Sequence, residues 1–210
     1  MRKYGFSFLF IALSFVISVI ALPYMPDQMA MHWNINGEAD QFWNKLYAVF
    51  FGPFLMIVML SLLVLLPKVD PKKENYKKFS SSYNIFVNMF IVFFFLLHIV
   101  TIGYNLGLDL DISLVVIIVV GLFFIILGNY MPRIKHNYFM GIRTPWTLAN
   151  GKTWTKTHQL GGKVFVLAGV CMMLISFLPG LYKFIGLMVI IIFTLLISTI
   201  SSYIYFNRYK

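Results

Sequence analysis

The chain has 210 residues, 60% of them hydrophobic and 11% charged, with 17 Lys and Arg against 7 Asp and Glu for a formal net charge of +10. A mean hydropathy of +0.83 is more than a water-soluble domain of this length sustains, so composition excludes a soluble enzyme or binding module and predicts an integral membrane protein. The basic excess by itself would suit nucleic acid, but its distribution along the chain argues against direct nucleic-acid binding.

Six apolar stretches, roughly residues 5–22, 46–66, 84–102, 112–130, 162–179 and 184–205, are each near the ~20 residues a helix needs to cross hydrocarbon. They predict an all-α, polytopic membrane fold of six transmembrane helices. Basic residues precede the first stretch (Arg2, Lys3), fill the second connection (Lys68, Lys72, Lys73, Lys77, Lys78), recur in the fourth (Arg133, Lys135, Arg143, Lys152, Lys156, Lys163) and follow the last (Arg208, Lys210). The alternate connections carry only Lys45 and Lys183, together with five of the seven acids. By the positive-inside rule both termini are expected in the cytoplasm, in a bacterial plasma membrane, with lipid as the immediate partner. The first apolar run, of about 18 residues, exceeds the usual 7–15-residue signal core and reads as an uncleaved transmembrane helix.

Taken in order, residues 1–66 form a two-helix module whose external connection, LPYMPDQMAMHWNINGEADQFWNK, is aromatic and acidic. Pro23 and Pro26 end the helix at the interface, and Asn36-Gly37 offers a tight turn. His32, Trp33, Asn34 and Asp40 are candidate ligand-facing residues here. The same segment also reads as an interfacial hairpin that merely joins two helices. His32, Glu38 and Asp40 have no recognised ligand spacing, so no metal is expected, and nothing in the sequence calls for a cofactor. Residues 67–83 form a basic cytoplasmic linker facing anionic headgroups.

Residues 84–210 make a four-helix domain. His98, in its first helix, fits a hydrogen-bonded structural role or a relay or ligand-contact role. The short turn after that helix offers Asp109 and Asp111 as further external candidates for a cationic peptide. Cys171 lies in an apolar run and reads as a small core residue. Gly169, Gly180 and Gly186 suit close helix packing in lipid.

The longest segment too polar to span is residues 128–162, GNYMPRIKHNYFMGIRTPWTLANGKTWTKTHQLGG, with Gly161-Gly162 expected as a flexible joint before the fifth helix. Within it Thr144 suits a helix N-cap and Pro145 the first helical position, placing Trp146 on a short interfacial helix. Arg143 has five donors, either for tying the loop to backbone carbonyls or for holding a phosphate or carboxylate of a partner.

The run GIRTPWTL, with Trp154 and His158 downstream and Asn129 and Pro132 upstream, resembles the signature loop of the SdpI family of bacterial membrane proteins. The external segment around His32-Trp33-Asn34 looks like a module that often precedes the SdpI domain. The resemblance implies immunity to a secreted, membrane-active, cannibalism-type peptide toxin met at the outer face. It also implies signal transduction through capture of a winged-helix transcriptional repressor at the cytoplasmic face. In that reading Asn129, Pro132, Arg143, Thr144, Pro145, Trp146, Trp154 and His158 form the partner-binding loop.

Two other classes compete with this reading. A membrane enzyme acting on lipid or peptide lacks HExxH, G-x-S-x-G, a Walker loop or paired intramembrane aspartates, so no catalytic residue is assigned. A small-molecule or peptide transporter or exporter calls for midplane charges or broken helices, and the spans carry no Asp, Glu, Lys or Arg except Lys163 at an edge.

Overall fold

The computed structural model describes residues 4–209; Arg2, Lys3 and Lys210, which enter the charge distribution above, lie outside the described residues. Helix α1 (Gly5–Ala21) leads into a hairpin of β1 (Gln28–Trp33) and β2 (Ala39–Asn44), and α2 (Lys45–Val69) returns. A short α3 (Glu74–Lys77) precedes α4 (Ser80–Asn105), and a turn joins it to α5 (Ile112–Tyr130). Beyond a loop come α6 (Pro145–Ala149), α7 (Gly151–Ile175) and α8 (Gly180–Tyr209). Among the described residues six helices are long and apolar enough to cross a membrane, so the predicted all-α polytopic architecture is the one observed.

The helices cover their outer faces with apolar side chains and mix serines and other polar groups with apolar residues inside, because lipid gives an apolar side chain little reason to turn inward. On α1, Ser7, Ile11, Ser14 and Ser18 face the interior while Phe8, Val16 and Ile20 face outward. Ser7 Oγ donates to Asn88 Oδ1 at 2.7 Å on α4, and Ser18 Oγ donates to the Val49 carbonyl at 2.7 Å on α2. With its single proton thus committed, the Ser18 hydroxyl accepts from His98 Nε2 at 3.2 Å. His98 is buried over Gly52, where a Cβ would lie 2.5 Å from its Nδ1. Of the two roles open to His98, the hydrogen-bonded one describes its surroundings. Cys171 is half-buried on α7.

Helices α5 and α7 pack along two glycine pairs a heptad apart, Gly128 with Gly162 and Gly121 with Gly169. A Cβ on Gly128 would stand 2.6 Å from the Gly162 carbonyl oxygen, and one on Gly169 would meet the Gly121 carbonyl. The backbones therefore touch where any side chain would hold them apart. Gly161 and Gly162 accordingly lie inside α7 and are no flexible joint. The helix starts eleven residues earlier than hydropathy suggested, because Asn150 Oδ1 caps it by accepting from Lys152 N at 2.8 Å and Thr153 N at 3.1 Å. Its first turns, GKTWTKTHQ, are polar and helical at once, so the end of the apolar run does not mark the end of the helix.

The two-stranded hairpin is the one sheet among the described residues. It pairs Met29 with Trp43, Ala30 with Phe42 and His32 with Gln41, with irregular register on either side of His32. Gly37 closes the turn at φ 83°, a conformation glycine adopts without strain. The connections at residues 22–44, 106–111 and 176–179 share one end of the bundle, the hairpin end. Residues 70–79 and 131–150 share the other, the loop end.

Candidate functional site

At the loop end the core is a column of rings. Trp154 and His158 are one helical turn apart on α7, their rings stacked at 4.1 Å and 21°, and His136 stacks on Trp154 at 4.9 Å. Trp154 Nε1 donates to the Ile134 carbonyl at 2.9 Å. His158 Nδ1 lies 2.8 Å from the Trp154 carbonyl, which can only accept, so Nδ1 carries the proton and Nε2 accepts from Ile142 N–H at 3.0 Å. That assignment makes His158 neutral and fixes its tautomer. Gly141, at φ 106°, leaves room for the ring: a Cβ there would collide with His158 Nε2. Trp154 and His158 are 1% and 0% exposed and offer no surface to a partner.

A second network, not singled out from sequence, joins the basic linker to this loop. Asp70 is 2% exposed; its Oδ2 accepts from the Tyr76 hydroxyl at 3.0 Å and Tyr138 N at 2.9 Å, and its Oδ1 from Lys72 N at 2.7 Å. The Tyr76 hydroxyl also lies 3.1 Å from Oδ1 of buried Asn137, which accepts from Phe139 N and Met140 N at 2.9 and 2.7 Å. Burial first, and then the Asp70 carboxylate, push the Tyr76 phenol well above its usual range. Lys72 Nζ lies 3.1 Å from both ring nitrogens of His136 and 5.3 Å from the Tyr138 ring centroid. Partial burial, then the Lys72 ammonium, hold His136 below its usual range. The signal for Asp70 was present: it is an acid placed just before Pro71 in a run otherwise dominated by lysines.

The remaining loop residues divide. Thr144 caps α6 in a capping box with Thr147, Pro145 opens the helix as expected, and Thr144 Oγ1 donates to Ser202 Oγ at 2.9 Å on α8. Trp146 sits edge-on to Tyr203 at 5.2 Å. Arg143 is exposed and donates one bond, Nη1 to the Tyr138 carbonyl at 2.7 Å. Its other donors are open to a partner. Asn129 and Pro132 line a separate cleft of about 650 Å³ between α5 and α7, with Gln159 and Lys163.

At the hairpin end, His32, Trp33, Asn34 and Asp40 converge on one cavity of about 640 Å³ against the starts of α5 and α8. His32 Nδ1 lies 2.6 Å from Asp40 Oδ1. Asn34 is occupied by the turn, its Oδ1 accepting from Asn36 N and Glu38 N at 2.9 and 3.1 Å. Asp109 is exposed and does not line the cavity. Asp111 caps α5, accepting from Leu114 N at 2.9 Å, and reaches Lys183 at 3.4 Å. Partial burial works against its charge, yet the Leu114 N–H, the Ser113 hydroxyl and Lys183 together hold its carboxyl below the usual range. Lys183, counted only as a topological charge in the sequence, lines the cavity with its side chain 7% exposed. A second cavity of about 260 Å³ lies behind Trp33 and reaches His98. Among the described residues no group of three or more His, Cys, Asp or Glu converges as a metal site would.

Apolar helices in this number, with a polar loop folded back on one end and a hairpin capping the other, define a multi-pass membrane protein. Residues 133–205, from the loop through α8, match the SdpI/YfhL protein family. Residues 9–57, covering α1, the hairpin and the start of α2, match a family described as a domain of unknown function (DUF1648). Over 208 residues the chain is 29% identical to the immunity protein SdpI of Bacillus subtilis (strain 168), covering 99% of this chain and 98% of that protein. No solved structure matches it.

Proposed function

We propose that this is a membrane immunity protein that protects its cell against a secreted, membrane-active peptide. The observation that carries the reading is similarity to the immunity protein SdpI over nearly the whole of both chains. In this reading the termini and loop end face the cytoplasm, as the 15 basic residues on that side against 2 on the other imply, and the hairpin end faces outward. The peptide meets the hairpin end, where exposed Asp27, Glu38, Asp40 and Asp109 offer carboxylates to its cationic residues and the cavity receives apolar ones. Residues 1–66, 67–83 and 84–210 act as ligand-facing module, basic linker and core domain.

The loop end is the docking surface for a cytoplasmic regulator, a transcriptional repressor held at the membrane. Arg143, exposed, and Trp146, half-buried against Tyr203, are its contact residues. Trp154, His158 and Thr144 act in it by shaping the loop. Expression of the intact chain in a sensitive Gram-positive host tests the protection. Survival against cannibalism-type toxin should rise with the protein and be unchanged by an empty membrane-protein control. No protection by a correctly inserted chain refutes the reading. Arg143→Ala removes one exposed hydrogen bond, about 0.5–1.5 kcal/mol, so it should keep membrane abundance while reducing repressor recruitment.

A further inference from the structure

Lys183 is the anomaly of the hairpin end. It is 5% exposed in the first turn of α8, a position where the helix dipole already disfavours a cation. A buried ammonium needs close, charged compensation. Here Nζ has Ser113 Oγ at 2.8 Å and Asp111 only at 3.4 Å, and Asp111 is itself 54% exposed and bonded elsewhere. One of the three ammonium donors has no acceptor, on a side chain that lines a cavity of about 640 Å³. Gly180 lines the same cavity, so the first N–H groups of α8, which have no partner within the helix, lie beside it. Ammonium and helix start together favour an anion.

The cavity wall also indicates what carries that anion. Met31, His32, Trp33, Asn34 and Ile35 line it consecutively. Met31, His32 and Trp33 belong to β1 and the other two to the turn; a regular strand face would contribute alternate residues, whereas three in a row, at the irregular register around His32, run the cavity along the strand's edge. One residue earlier this edge is already read by an amide: Asn105 Oδ1 accepts from Ala30 N at 2.7 Å and its Nδ2 donates to Ala30 O at 3.0 Å, as a neighbouring strand would. The opposite wall is apolar, from Ile112, Val116, Phe184 and Leu187. A lipid tail has no use for a strand edge, whereas a peptide backbone does.

We infer that this cavity receives the carboxyl-terminal end of an apolar peptide, its free carboxylate on Lys183 and its backbone along β1. The inference rests on the proposed immunity reading and adds to it the end of the peptide that is recognised. The intact chain in phosphatidylcholine nanodiscs is titrated with a synthetic Leu/Ala dodecapeptide as free acid and as carboxyl-terminal amide. The acid should bind about tenfold or more tighter, the loss expected when a charged hydrogen bond is removed. Lys183→Gln should equalise the two peptides, and Lys183→Arg should keep the preference. Unfolding temperature measured on each variant identifies any that fails to fold, and the acid and amide pair on the wild type stands regardless. Equal binding of acid and amide to the wild type, or a preference that survives in Lys183→Gln, overturns the inference. So does laurate binding that depends on Lys183 where the peptides do not discriminate, which would assign the cavity to a fatty acid. Survival separates the two readings: protection against amidated and free-acid toxin alike would leave immunity standing and remove this recognition mode.

Discussion

Replacing His158 by Phe dissects the ring column. Phenylalanine keeps the volume and the stack on Trp154, at 4.1 Å in the native chain, but has no nitrogen. The Trp154 carbonyl loses little, because within α7 it still has a backbone donor one turn on. Ile142 N–H, held at 3.0 Å by His158 Nε2, loses its only acceptor beside a side chain that is 0% exposed. An orphaned buried donor costs about 1–3 kcal/mol. For a chain of this length that corresponds to a fall in unfolding temperature of roughly 2–12 °C. His158→Ala also removes the stack and opens a cavity, so its loss should exceed that of Phe by about 2 kcal/mol or more. Thermal unfolding of the detergent-purified chain, followed by tryptophan fluorescence, measures both. A Phe variant as stable as the native chain would refute the assigned tautomer and the Ile142 bond with it.

Other contacts can be perturbed in the same way. Asp70→Asn puts an amide NH₂ against donors from Lys72, Tyr76 and Tyr138 whichever way it turns, and should cost about 1–3 kcal/mol per orphaned donor, read as a lower unfolding temperature. Gly169→Ala drives a Cβ into the Gly121 carbonyl and should cost about 1–3 kcal/mol, whereas Gly151→Ala, with nothing within 4 Å, should be neutral; equal melting of the two would refute close α5–α7 packing. His136 is held below its usual pKa, so the unfolded chain binds more protons; stability at the loop end is full above about pH 6.5 and falls as pH drops from there through the folded value. Lys72→Met should move the His136 titration upward in a ring-proton NMR experiment, and an unchanged titration would show that the ammonium does not set it.

Residue type and order alone determined the number of spans, the basic and acidic sides and the Thr144-Pro145 helix start. Each of these depends on a local property: hydropathy over about twenty residues, charge between spans, or a hydroxyl one residue before a proline. The resemblance to SdpI proteins was legible for the same reason, since GIRTPWTL and its flanking Trp and His stand in one continuous segment. The start of α7 was not legible, because a helix that leaves the bilayer keeps its hydrogen bonds while its residues turn polar. Nor was the division among the loop residues. Trp154 and Arg143 look equally available in sequence, and only packing buries one and leaves the other at the surface. Asp70 and Asn137 are 67 residues apart in the chain and become one network only when α2 and the loop meet, with Tyr76 between them. The hairpin cavity is the same case: His32 and Asp40 belong to β1 and β2, Ser113 to α5 and Lys183 to α8. In sequence that lysine was one charge in a topology count. Burial in the first turn of a helix, beside a strand edge, is what gives it a chemistry of its own.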